Sequence, residues 1–560
     1  MKRDISLFIL IRLYGGKMKR SYLRLAAPFA VAALALTACS GGSGNGGANA
    51  PEGESGGVVV ANGSEPQNPL IPTNTNETGG GKIVDLIYAG LVYYDADGAA
   101  QNDLAESIET EDSQNFTIKI KEGETFSDGS PVTAKSFVDA WNQGVAQSHL
   151  SSHFFEPIKG FPEDGEAPAD FAGLEGLKVV DDQTFTVELS QPEADFPLRL
   201  GYSAFYPLPE AGIGDADAVA AFGAAPVGNG PYLLESGDDW KHNESIMLKP
   251  NPKYDGPRKA KNGGVEIKFY AQQDAAYNDL LGGNLDVLDA VPDSAFSSFE
   301  TELGDRAVNQ PSATFQSFTI PERLAHFDGE EGNLRRQAIS MSINREEITD
   351  TIFQGTRSPA HDYTSPVIDG YNENVEGNEV LNYDPEKAKE LWAKADEISP
   401  WEGSFEIAYN ADGGHQAWVD ATTNSIKNVL GIDAKGAPYP DFKSLRDEVT
   451  NRKIETAFRT GWQADYPGLG NFLAPLYATG AGSNDGDYSS AEFDGLLKQA
   501  AGAKSVEESN ELYLKAQTVL FKDLPAIPLW YSNVTGGSTE AVNNVQFGWN
   551  SVPLYYQITK

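Results

Sequence analysis

One cysteine occurs in the whole chain, Cys39, directly after an uncharged run, LAAPFAVAALALTA, at residues 25–38. A single thiol cannot cross-link the chain to itself, so everything beyond it has to be held together by buried apolar surface. The same count removes any zinc or iron–sulfur site built from several cysteines, and six histidines give a histidine-built metal centre little to work with. A chain of 560 residues outgrows one hydrophobic core, so about two to four domains are expected. With 40% hydrophobic and 22% charged residues, it carries enough apolar side chains to fold rather than stay disordered.

Lys19, Arg20 and Arg24 precede the uncharged run, and Leu36-Thr37-Ala38 closes it. A basic start, a short apolar middle and small residues before a cleavage point describe a secretory signal over residues 1–38. The run falls short of the ~20 apolar residues that span a bilayer. Met18, beside Lys19 and Arg20, is a better-placed start for such a signal than Met1. Leu36-Thr37-Ala38-Cys39 resembles the lipobox of bacterial lipoproteins, which implies that the Cys39 thiol is diacylated and becomes the new amino terminus. Two or three acyl chains hold a protein stably on a membrane, where one does not. Residues 39–57, rich in Gly, Ser, Asn and Ala, read as a flexible tether. The folded part is therefore expected outside the cytoplasm, anchored to the outer face of the cell membrane.

Charge narrows the partners. Residues 1–38 hold seven Lys/Arg and one acid, so the chain beyond them has 35 basic and 80 acidic residues, a net charge of −45. No nucleic-acid partner is expected, because phosphate binding needs clustered Lys and Arg. Adsorption of the body to an anionic membrane surface is excluded on the same ground.

Hydrophobic periodicity predicts strands at 58–61, 91–94, 116–120, 265–270, 405–409, 455–459 and 527–531. Asp95-Ala96-Asp97-Gly98 reads as a hairpin turn, since Ala99 and Ala100 occupy the places where a calcium loop needs an oxygen ligand and a glycine. Residues 127–131 read as a turn, after which Thr133 caps a helix from Ala134 to about Asn142. Further helices are expected at 334–344, 346–353 and 385–395. Strands and helices alternate without a repeat, so the class is α/β or α+β with several lobes.

Catalytic signatures are mostly missing. No GxxxxGK[ST], HExxH or strand-borne GxGxxG occurs. Gly53-Glu54-Ser55-Gly56-Gly57 has the letters of a nucleophile elbow but sits in the tether. His149 and His153 have helical i,i+4 spacing, yet no third ligand can be nominated, and core or surface histidines are the better reading.

Residues 87–141, IYAGLVYYDADG through SFVDAW, resemble the extracytoplasmic dipeptide/oligopeptide-binding proteins of ABC importers, the family 5 bacterial solute-binding proteins. So do PVGNGPYLLESGDDWKHNESIMLKPNPKYDGP (226–257), NLRRQAISMSINREEITDTIFQG (333–355) and Tyr383-Asp384-Pro385-Glu386-Lys387-Ala388, in the same order along the chain. The resemblance is nearest to the oligopeptide-binding members. It implies an α/β, periplasmic-binding-protein-like fold of cluster C, two lobes joined by a hinge plus an extra domain. Domain I would comprise 58–83, 205–305 and 527–560, domain II 84–204 and domain III 306–526. It also implies a monomer that captures peptides and hands them to the transmembrane subunits of a permease, without a cofactor, a metal or catalysis.

Phe458-Arg459-Thr460-Gly461-Trp462-Gln463-Ala464-Asp465-Tyr466 resembles the segment with which the oligopeptide binders hold their ligand. By that resemblance Asp465 takes the peptide ammonium, while the backbone around Trp462, Ala464 and Tyr466 pairs with the peptide as an added strand. Arg459 falls where relatives meet the peptide carboxylate, and His415 serves the same end for other lengths. The opposite wall would come from residues 62–65 and from Thr75, Asn76 and Glu77. The chain departs from the family in reading Asn68-Pro69-Leu70-Ile71-Pro72 before that loop, and Pro467-Gly468 after Tyr466. Two alternatives stay open. One is the same fold with a nickel chelate, haem or oligosaccharide as cargo; the other is a surface hydrolase or signalling receptor on this scaffold.

Overall fold

The computed structural model describes residues 56–162, 165–440 and 442–560. The leader with both candidate starts, Cys39, most of the tether and Ser55 of the elbow-like letters lie outside them. Among the described residues no helix is long and apolar enough to cross a membrane.

A mixed twelve-stranded sheet organises the chain. Its first strand, β1 (Val59–Gly63), lies parallel to β2 (Val265–Phe269) in the register Val59↔Val265. Val59 and Ala61 on one strand and Val265 and Ile267 on the other are all buried, so one face of this parallel pair is fully covered. Farther along the chain come β3 (Ala307–Thr319), β4 (Ala457–Gln463) and β5 (Ala526–Ser538). β3 runs antiparallel to both β4 and β5, and β5 returns to β1 through the short strand Val287–Leu288. The β3–β5 ladder slips between Pro311 and Thr314, where proline cannot donate a hydrogen bond. Beyond β4 the sheet continues in parallel with Ser404–Asn410 and Asp433–Tyr439.

The second sheet has four strands, in the order Ala105–Thr110, Asn115–Ile120, Thr184–Glu188 and Leu177–Val179. Phe116, Ile118 and Ile120 point inward and their neighbours outward, the alternation read from the sequence. Helix Ala134–Ala146 begins after Thr133 and runs one turn beyond the expected end. Its Phe137 and Trp141 pack on Phe185 at 5.8 and 5.6 Å between ring centroids. Asp95 shapes the predicted hairpin, its carboxylate accepting from the backbone of Asp97 and Ala99 at 3.1 and 2.9 Å. His149 and His153 do not share a helix face, because the helix has ended at Ala146. His149 is buried with Nδ1 2.7 Å from Thr73 Oγ1, and burial pulls its pKa down to about 4.

The expected helices at 334–344, 346–353 and 385–395 are Gly329–Met341, Arg345–Thr351 and Pro385–Ile398. The strand expected at 455–459 lies two residues later and reaches Gln463. Gly461 is a poor strand former, and its pairing with Gln316 of β3 carries the ladder through it. The strand at 527–531 extends to Ser538 because β3 partners it as far as Gly537 and Val287 pairs with Ser538.

Candidate functional site

A cavity of about 310 Å³ opens among five stretches of chain, residues 75–86, 93–95, 201–206, 463–465 and 548–556, together with Arg258. The first of these contains helix α1 (Thr78–Ile87). Three consecutive glycines stand in its first turn, where Glu77 serves as the cap and accepts from Gly80 N at 2.9 Å with each carboxylate oxygen. Ile83, Val84 and Ile87 are buried away from the cavity, while Lys82, Asp85 and Leu86 line it, the two charges three residues apart. Thr75, Asn76 and Glu77 line it as well. Residues 62–65 do not: the Asn62 amide donates to Asp289 at 2.8 Å, and Glu65 receives His242 at 2.7 Å.

Asp465 enters from the turn that follows β4. The Asn471 amide donates to its Oδ2 at 3.1 Å, while Asn471 Oδ1 accepts from the Asp465 backbone N–H and from Trp462 Nε1, both at 3.0 Å. One buried asparagine thus fixes the carboxylate, its backbone and the neighbouring indole together. Among the described residues Asp465 has no ion-pair partner. Burial therefore pushes its carboxyl up to about 6, against the pull of the Asn471 hydrogen bond. Such a group is costly to keep charged and gains most from an arriving cation.

The other residues singled out from the sequence fall into two places. Ala464 lines the cavity beside Asp465 and donates its N–H to Ala313 O at 2.9 Å. Trp462 and Tyr466 support the turn without lining the cavity, and Arg199 lies 5.3 Å over the Tyr466 ring. Arg459 and His415 belong to a separate group nearer the start of β4. Arg459 Nε donates to Asn410 Oδ1 at 2.9 Å, and His415 Nδ1 accepts from Trp418 Nε1 at 3.0 Å. Because Nδ1 accepts, the ring proton of neutral His415 sits on Nε2. The Asn410 amide and His415 Nε2 close on Gly413 from two sides: a β-carbon there would come within 2.5 and 2.6 Å of them.

Several wall residues escape sequence reasoning. Tyr94, Tyr202, Tyr206 and Trp549 line the cavity, and Trp549 meets Tyr94 edge to face at 5.4 Å. Tyr202 stacks on Phe154 at 4.2 Å. Tyr206 Oη donates to Asp85 Oδ1 at 3.1 Å, and burial pushes the Asp85 carboxyl up although Arg258 pulls it down. Lys82 is ion-paired with Asp289, and Arg258 with Asp103. For Asp85 and Lys82 a signal was present, namely two charges on one face of an otherwise apolar run. For Trp549 there was none, because its contact with Tyr94 is made over more than 450 residues of chain.

The arrangement can hold a cationic group between aromatic walls; among the described residues, no group of three or more His, Cys, Asp or Glu could hold a metal ion. A sequence profile of the bacterial extracellular solute-binding proteins, family 5 middle region, matches residues 99–484. The chain is 27% identical over 484 residues to the periplasmic oligopeptide-binding protein OppA of Escherichia coli K12, covering 85% of this chain and 87% of that one. With the oligopeptide-binding protein OppA of Bacillus subtilis it shares 25% identity over 527 residues, 91% and 94% of the two chains. Its fold matches the binding protein DppA of Helicobacter pylori, solved in complex with peptide STSA, with a TM-score of 0.72 at 22% identity over 90% of this chain and 98% of the other. With the mixed α/β architecture and a profile match over more than half its length, the chain belongs to the family 5 bacterial extracellular solute-binding proteins.

Proposed function

We propose that this protein is a lipid-anchored receptor that captures peptides outside the cytoplasm and delivers them intact to the permease of an ABC importer, as a monomer and without catalysis. The observation that carries the reading is the Asp465 carboxylate, held at a cavity wall by Asn471 and, among the described residues, without an ion-pair partner. A peptide ammonium supplies the missing charge and up to three N–H donors. Main-chain pairing along the turn and β4 then adds affinity without reading side chains. Arg459, with His415 close by, receives the far carboxylate. The oligopeptide-binding names of the relatives and the peptide in the Helicobacter pylori structure support peptides as the cargo.

In this reading domain III (306–526) closes onto domain I (58–83, 205–305 and 527–560) about a hinge, with domain II (84–204) beside them. Cys39 carries the anchor, so Cys39→Ala is expected to leave the protein in the soluble fraction after membranes are pelleted; retention in the pellet would remove the lipid from the account. The cargo is tested by incubating the protein with mixed peptides and identifying what it retains by mass spectrometry. Intact peptides are expected. No retained peptide would point to a different solute, and shortened peptides would reveal an enzyme.

A further inference from the structure

The charges around the cavity do not cancel. Glu77, Asp85, Asp95 and Asp465 line it, against Lys82 and Arg258. Both cations are already committed to acids outside the lining, Lys82 to Asp289 and Arg258 to Asp103. Arg258 also donates to the carbonyls of Asp85 and Tyr88 at 2.8 and 3.0 Å. Glu77 and Asp95 are occupied by backbone N–H groups at a helix start and a hairpin turn. That leaves Asp85 and Asp465, each bonded by one neutral donor, Tyr206 and Asn471. The phenols of Tyr94 and Tyr202 feel both carboxylates: burial raises them first, and each of the two acids raises them further.

We infer that Asp85 is a second cation anchor and that this protein selects peptides whose first residue carries a basic side chain. The inference rests on Asp465 holding the ammonium. From there the peptide backbone follows the turn back along β4, so the first side chain is the part of the ligand left to enter the cavity. A lysine or arginine stem packs against Tyr94, Tyr202 and Trp549, and its charged end meets Asp85 with aromatic faces close by. An acidic first residue would add a fifth negative charge to a wall that already has four, and Lys82 and Arg258 are ion-paired with Asp289 and Asp103 instead.

The test compares Lys-Ala-Ala with norleucine-Ala-Ala, which keeps the stem and removes the charge, by calorimetry on the wild type, Asp85→Asn and Asp465→Asn. The wild type should prefer the lysine peptide by roughly 10- to 100-fold, the worth of one charged hydrogen bond. In Asp85→Asn the ratio should fall to near one, and that ratio rather than either affinity is the readout. Equal wild-type affinities, or a preference that survives Asp85→Asn, overturns the assignment. Because the wild-type ratio needs no variant, failure of Asp85→Asn to fold still leaves a decisive result. If the wild type binds neither peptide, or Asp465→Asn binds both as tightly as the wild type, the underlying reading of the site has failed and this inference falls with it.

Discussion

Replacing Asp465 by asparagine is expected to weaken peptide binding by about 10²–10⁴-fold, the loss of roughly 3–5 kcal/mol from an enclosed ion pair. In the ligand-free protein the same change should raise the melting temperature. Its carboxyl titrates near 6 in the folded protein, against ~3.9 in an unfolded chain. Between those two values the folded state binds more protons than the unfolded one, so stability falls as pH rises through that window. At neutral pH the penalty amounts to roughly 3 kcal/mol. Asparagine removes it while keeping an oxygen for the Asn471 amide. A gain in stability paired with a loss of binding is the mark of a group kept charged for function. Binding should respond to pH with the opposite sign, since only the ionised carboxylate attracts an ammonium. Affinity at pH 5 should be about tenfold lower than at pH 7.5. A lower melting temperature for Asp465→Asn, or an affinity within threefold of wild type, would remove Asp465 from this role.

Arg258→Met is expected to cost about 3–5 kcal/mol of stability. Asp103 is 1% exposed and holds Arg258 Nε at 3.3 Å and Tyr254 Oη at 2.9 Å. Without the guanidinium it becomes a buried, uncompensated charge. The carbonyls of Asp85 and Tyr88, at the end of α1, lose their donors at the same time. Thermal unfolding and amide exchange across α1 provide the measurement: a lower melting temperature with faster exchange in residues 78–87 is expected. Adding Asp103→Leu should recover part of the loss, because the stranded carboxylate is then gone. Unchanged exchange in α1 would mean that Arg258 does not hold the end of that helix.

Local pattern made much of this fold readable. Phe116, Ile118 and Ile120 alternate because one face of a sheet is buried, and Asp95-Ala96-Asp97-Gly98 carries the side chain and the glycine that close a hairpin. Elements set by distant partners were harder. Gly79-Gly80-Gly81 carries no helix signal, yet Glu77 caps a helix there that Arg258 ties down from 170 residues away. Gly461 lies beyond the strand expected at 455–459, yet β3 pairs through it. In the candidate site, the family resemblance pointed to Asp465, Ala464 and the 75–77 loop, and all of them line one cavity. Asn471 was missed although it is only six residues from Asp465, since no residue pattern says which amide a carboxylate will choose. Trp549 and Tyr202 reach the cavity through tertiary packing alone, which leaves no periodic trace in the sequence.

Titrating the wild-type protein with a free-amine tripeptide and with its N-acetylated twin tests the ammonium–Asp465 contact most directly, because acetylation deletes the positive charge and leaves every side chain in place. Acetylation should weaken binding by about 100-fold or more; equal affinity for the two peptides would contradict it.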